Sequence, residues 1–285
     1  MKKVALGVFV LFIAYTWVFG QKPDIVAAEF TPYGKSSFLM ESGQVQFAVP
    51  VFKMEKNGLF ISPEYKFVRS QAVNGMEAGF YQQLSVRWFW QYKLNDIWKI
   101  QWIGMPTVTS PFETQPSFLF NTMLRTAYKT GQFQCFLGLA YSYRYDNNIF
   151  TPVAGFSWTS VDGWNISARV PVNIKIQRRI NPFWNLGLEL RGNGISSTTT
   201  NTGLSDFLWI HEKNMLLFSD IKIYKNWWFT GSIGYAVERT LKTYAMPEKQ
   251  LWTVKLNIGE PGVNPLMEYR ENGFLAKLGI KFKLL

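Results

Sequence analysis

Histidine and cysteine are almost missing: His211 and Cys135 stand alone in 285 residues. A single thiol excludes an internal disulfide, and its position deep in the chain excludes a lipid-attachment cysteine behind a leader. Cys135, between Phe133 and Leu137, reads as an apolar packing residue. Neither residue type can cluster into a metal site, so no metal and no cofactor is expected. A histidine-based catalytic site would have to use His211, and neither Ser205 nor Asp206 stands at a spacing that argues a triad. His211 therefore reads as a loop or rim residue, and the chain as a non-enzyme. Acidic residues are scarce too, 19 against 30 Lys and Arg. No basic run or aromatic-interleaved motif accompanies that surplus, so nucleic acid is not an expected partner. Long apolar runs are lacking as well. Although 47% of residues are hydrophobic, nothing beyond residue 20 approaches the length of a membrane helix. That excludes a helical membrane protein.

The one apolar run lies at the start. Lys2 and Lys3 precede Val4 to Phe19, and the small Val18 and Gly20 sit at −3 and −1 before Gln21. Charge, apolar run and small residues in that order form a secretory signal peptide. The expected division is a cleaved leader, 1–20, and one mature domain, 21–285. Lys2 and Lys3 leave with the leader, so 28 basic residues face 19 acidic ones, a net +9. Anionic lipid, lipopolysaccharide included, and anionic solutes suit such a charge.

What the chain has in abundance is alternation. In NGFLAKLGIKFKLL, at the C-terminal end, Phe274, Ala276, Leu278, Ile280 and Phe282 share one phase, and Lys277, Lys281 and Lys283 the other. FYQQLSVRWFWQY sets Phe80, Leu84, Val86, Trp88, Trp90 and Tyr92 against Gln83, Ser85, Arg87 and Gln91. QFQCFLGLAYSYRY and GWNISARVPVNIKI repeat the pattern. A period of two over about ten residues is a strand long enough to cross a bilayer on a tilt. No helical stretch competes with these strands. The chain reads as all-β, and alternation alone fits either a soluble barrel or a membrane barrel.

Turns and aromatics separate the two. Short connections occur at EKNG (Glu55), KLND (Lys93), KTG (Lys129), SVDG (Ser160), RINP (Arg179) and KN (Lys225), rich in turn formers. Longer polar stretches lie between them, such as Gly192 to Asp206, and Leu241 to Asn272 is the longest. Aromatics crowd the short turns: Trp90, Tyr92 and Trp98 at KLND, Tyr128 and Phe133 at KTG, Trp158 and Trp164 at SVDG. Trp184 follows RINP, and Tyr224, Trp227 and Trp228 bracket KN. Rings gathered at one level form the girdle of a membrane barrel. The expectation is a transmembrane antiparallel up-and-down β-barrel in the outer membrane of a Gram-negative bacterium, with the last strand closing against the first. Parity gives about fourteen strands if Trp164 to Ile180 turns at Pro171 and a first strand lies near Val26 to Met40. Read as one long strand, that stretch leaves twelve.

FTPVAGFSW (Phe150 to Trp158), GWNISARVP (Gly163 to Pro171) and GSIGYAVERT (Gly231 to Thr240) resemble blocks of an uncharacterised outer-membrane β-barrel family, a domain of unknown function. The resemblance spans roughly the second half, with a weaker match before it, and implies the barrel fold with no site to transfer. The alternating end with Phe282 is also similar to the C-terminal signal that insertion machinery recognises, although the chain closes on Leu285 rather than an aromatic. Insertion machinery and envelope proteins are the expected protein partners.

On the polar phase lie Arg87, Lys99, Arg125, Arg144, Arg169, Lys175, Arg191, Lys277 and Lys281, with Glu64, Glu189 and Glu238 as the acids. A lumen lined by that basic surplus points to a passive channel or transporter for small solutes, anions favoured. The alternatives are a non-catalytic subunit of an envelope complex and, less favoured, a lipid-modifying enzyme. Mass spectrometry of protein purified from membranes is expected to show a chain that begins at or near Gln21. A chain retaining Met1 to Gly20 would overturn the export argument.

Overall fold

The computed structural model describes residues 24–31, 40–70, 79–110, 117–144, 147–170, 173–199, 206–245, 251–254 and 264–283. The expected leader and the last two residues lie outside them. The strands are β1 (Asp24–Thr31), β2 (Met40–Phe47), β3 (Val49–Lys53), β4 (Asn57–Ser70), β5 (Gly79–Lys93), β6 (Trp98–Ser110), β7 (Ser117–Thr130) and β8 (Phe133–Arg144). They continue as β9 (Asn147–Thr159), β10 (Trp164–Val170), β11 (Asn173–Asn181), β12 (Trp184–Thr199), β13 (Asp206–Tyr224), β14 (Trp227–Ala245), β15 (Leu251–Val254) and β16 (Met267–Lys283).

β2 and β3 are one wall strand broken at Ala48, since both pair with β4. β15 lies outside the ring and pairs in parallel with β9. The ring therefore has fourteen strands, each antiparallel to its neighbours. β16 closes it against β1, with Phe30 opposite Leu278, Ala28 opposite Ile280 and Val26 opposite Phe282. Of the first strand expected near Val26 to Met40, Val26 to Thr31 lie in β1 and Met40 opens β2; 32–39 lie outside the described residues. β10 and β11 form a hairpin in which Ile166 faces Ile176 and Ala168 faces Ile174. Residues of one parity meet across this turn. Alternation passes through it unbroken, which is why only Pro171 marked it in the sequence.

Side chains are arranged inside out relative to a soluble protein. Leu137 is 69% exposed and Phe274 82%, whereas Ser85 and Thr107 are 1% exposed and hydrogen-bonded to each other at 2.9 Å. Apolar residues meet the surroundings and polar ones fill the interior, as hydrocarbon outside requires. Cys135 sits on the outward phase of β8. The tight turns, the start of β1 and the end of β16 share one rim, where Gly131 and Gly163 take φ of 52° and 86°, conformations that suit glycine. The aromatic girdle surrounds that rim. Trp98 meets Tyr128 edge-on at 5.0 Å, and Trp227 meets Phe282 at 5.1 Å. Trp228 does not belong to the girdle: consecutive strand residues point to opposite faces, and it turns inward under Lys283, 4.5 Å from its ring.

At the other rim the ring is not a simple cylinder. Phe207, Leu208, Trp209 and Ile210 are all buried, as are Thr240 to Tyr244. A wall strand can bury only one face, so the ends of β12, β13 and β14 lie within the barrel mouth. Leu208, Ile210, Leu241 and Ile195 pack on Val68 of β4. From the other face, Phe207, Trp209 and Tyr244 pack on Leu119 of β7. Lys66 Nζ also donates to the Gly194 carbonyl across the barrel at 2.8 Å. The bend begins at register shifts between Lys213 and Asn214 and between Ala236 and Arg239. Bulges of this kind turn a strand. Gly192 to Asp206, expected as a polar loop, is mostly strand: β12 runs to Thr199 because Ile195 has an apolar core to join.

The two faces predict unequal responses to charge. Leu137→Arg should cost about 2–4 kcal/mol of stability in lipid vesicles if it lies near the midplane, and Gln134→Arg should cost little. Equal losses would mean that inside and outside are reversed.

Candidate functional site

The charged interior divides into two parts. Around β16, β1 and β13, bases are matched by acids. Asp220 accepts from Lys283 Nζ at 2.9 Å, Lys281 Nζ at 3.3 Å and Thr230 Oγ1 at 2.7 Å. Glu29 accepts from Arg191 at 3.1 Å and Lys277 at 3.3 Å. Glu212 takes Arg239 Nε at 2.7 Å and Asn214 Nδ2 at 3.1 Å. Burying so many charges is tolerable because each carboxylate is hydrogen-bonded as well as paired.

Arg191, Lys277 and Lys281, all expected in the lumen, are thus tied to Glu29 and Asp220. Alternation did not reveal those two acids. β13 carries Leu216 and Phe218 in the same phase as Asp220, so apolar residues on both phases hid its inward face. Glu238 is a correction in the opposite sense. The register shift beside Ala236 puts it opposite Lys213, to which it is ion-paired, on the face away from Arg239.

Across the lumen the bases are less well matched. Arg87 pairs with Glu64 at 3.2 Å. Arg125 gives Nε to Gln101 Oε1 at 2.7 Å and lies 4.2 Å above the Phe136 ring, but its buried Nη1 has no hydrogen-bond partner. Gly138 makes that placement possible, since a Cβ there would sit 2.5 Å from the Arg125 Cβ. Arg169 forms no ion pair among the described residues, and its electrostatic neighbours are Arg125 and Arg87. Lys175 lies over the Phe218 ring at 4.4 Å and opposite Glu189, whose carboxylate accepts from Asn173 at 2.9 Å. Lys99 stands near the short-turn rim beside Lys93 and Lys129.

Between this basic wall and the inward-bent strands lies a cavity of about 510 Å³, reached by Arg144 and Arg169 from one side and Trp209, His211 and Lys213 from the other. His211 stacks on Trp209, ring centres 5.0 Å apart, opposite Gly194 in mid-strand rather than on a loop. On the far side of the bent strands a smaller cavity of about 30 Å³ lies around Glu29, Lys66, Arg191 and Lys277. Among the described residues no three His, Cys, Asp or Glu gather as metal ligands.

A family model described as a domain of unknown function, DUF6268, matches residues 84–282. The chain belongs to that family. The family match begins well before the blocks that carried the resemblance and takes in β5 to β16 almost whole. Among curated proteins, none matches. Among solved structures, the KdgM porin aligns at 10% identity and TM-score 0.37, over 91% of this chain and 99% of the porin. The NanC porin aligns at 10% and 0.38, over 91% and 100%. The translocator domain of autotransporter NalP from Neisseria meningitidis aligns at 9% and 0.36, over 99% and 94%.

Removing one buried acid should expose the cost of the matched cluster. Asp220→Asn leaves Lys281 and Lys283 without a counter-charge. Because both lysines keep some access to water, the expected loss is about 2 kcal/mol, below the roughly 3–5 of a fully buried pair. Urea unfolding in vesicles at neutral pH measures it, and an unchanged midpoint would refute the role given to Asp220.

Proposed function

We propose that the barrel is an outer-membrane passage for small solutes that favours anions, a channel or transporter and not an enzyme. The observation that carries the reading is the grouping of Arg87, Arg125 and Arg169 on one inner wall, with Glu64 as the one ion-paired acid among them. Facing arginines in a narrow tube between low-dielectric walls raise the local concentration of anions. Several weak sites in succession also let an anion move on, where a single tight site would hold it. The matched clusters of Glu29, Asp220 and Glu212 do the opposite and fill their half as a packed polar core. The larger of the two cavities, about 510 Å³, lies on the basic side of the bent strands. With the tight turns, the start of β1 and the end of β16 on one rim, the orientation that fits an exported barrel puts that rim in the periplasm. Anionic lipid, lipopolysaccharide included, and the insertion machinery remain the proposed partners of the outer surface and of β16.

Protein reconstituted in a planar bilayer under a salt gradient should give a reversal potential of anion-selective sign. Arg125→Glu combined with Arg169→Glu should move it toward cation selectivity. No conductance, or cation selectivity in the unmodified protein, would sink the proposal.

A further inference from the structure

Among the described residues, the barrel wall beside the large cavity is shorter than the strands that flank it. β10 has seven residues and β11 nine, whereas β9 and β12 run on past them toward the long-loop rim. β9 pairs with β10 only up to Ala154, and β12 pairs with β11 only up to Arg191. Seven tilted residues rise about 18 Å, less than the roughly 25 Å apolar band of a membrane barrel. Among the described residues, pairing at the hairpin therefore stops at hydrocarbon depth. β15 covers β9 at Asn147 to Phe150. Among the described residues, no strand lies beside Thr151 to Val153 or beside Gly192 to Thr199 on this side.

The inward bend gives this region its chemistry. It carries the outer face of β12 to β14 into the mouth, so the cavity has one wall from inside the barrel and one from outside. Val170, Ile174, Leu190 and Val237, on the membrane-facing phase, share it with Arg144 and Arg169, on the inward phase. The same four apolar residues are 41–59% exposed. A continuous surface thus runs from the bilayer side of the hairpin tip to an arginine with no ion-paired acid among the described residues. A water-filled pore has no use for an apolar approach of this kind. A molecule arriving from the bilayer does.

We infer that this cavity binds a single-chain amphiphile with an anionic head group, entering sideways from the membrane above the β10–β11 hairpin. The head lies at Arg169, where the side chains of Asn173 and Asn121 also line the cavity. The chain lies along Val170, Ile174, Leu190 and Val237, with Trp209 as the end wall. The volume of about 510 Å³ is that of a small-molecule site and leaves no room for a lipid with several chains. Carboxylate and phosphate heads share the chemistry that Arg169 recognises. The inference does not rest on the passage reading, since binding requires no conduction.

Equilibrium dialysis of the full protein in an uncharged detergent, with labelled hexadecanoate and hexadecyl phosphate as probes, tests it. Saturable binding near one per chain is expected for at least one probe, and the stronger of the two identifies the head group. Arg169→Gln should weaken that binding about tenfold and Arg169→Lys much less. Leu190→Trp, which narrows the apolar approach, should weaken both probes. Hexadecanol should bind equally to the unmodified protein and to Arg169→Gln. Heat-dependent electrophoretic mobility shows whether each variant is folded. Should Arg169→Gln not fold, the comparison of Leu190→Trp with the unmodified protein decides. Binding indifferent to the substitutions, or hexanoate competing as well as hexadecanoate, would overturn the inference. Conductance recorded on the same preparation keeps the two readings apart. Binding without conductance leaves this site standing and sinks the passage; conductance without binding does the reverse.

Discussion

Every backbone N–H and C=O of a strand in hydrocarbon must find its partner within the sheet, because the surroundings offer none. That requirement explains the closure of β16 on β1, which leaves no edge at either chain end. It also explains the fourteen-fold ring, the common rim of the tight turns, and the single phase of apolar residues facing outward. Among the described residues, the short β10–β11 hairpin stops before β9 and β12 do toward the long-loop rim, and β15 pairs with part of the β9 edge there.

An interior that cannot be apolar on every strand has to be filled another way. Two devices do it here. Near the closing strands, carboxylates each gather two or more donors, as Asp220 and Glu29 do. Toward the long-loop rim, the three strands β12 to β14 bend inward at their register shifts and bury both faces against β4 and β7. The first device uses up charge and the second uses up volume. What remains is a basic half with free space, and both functional readings draw on that asymmetry.

Much of this was legible from residue patterns. The faces of β5, β8, β10 and β16 follow from a period of two, because a strand offers only two directions to its side chains. The hairpin at Pro171 followed from parity, and the closing pair from the alternation of the last strand, which would otherwise leave an open edge. Other features were hidden for identifiable reasons. Trp228 follows Trp227, so only one of them can face lipid. Glu238 lies just past a bulge, which moves it to the other face without any mark in the sequence. Gly192 to Thr199 is polar enough to read as a loop, and the strand it forms depends on a core that Val68 supplies from 127 residues away in the chain.

By itself, the sequence determined the class of the protein: a chain of alternating strands with an apolar outer face, an aromatic girdle and a surplus of inward bases. These are local properties, read from one strand and its turn at a time. Tertiary structure decided which bases are matched and which are not, because Glu29 and Asp220 reach partners on other strands, Arg191 on β12 and Lys277, Lys281 and Lys283 on β16, only once the ring has closed. It also decided the shape of the free space. A bend at the bulge of β14 brings an outer face inside the barrel, and no periodicity within a single strand records where that face will come to rest.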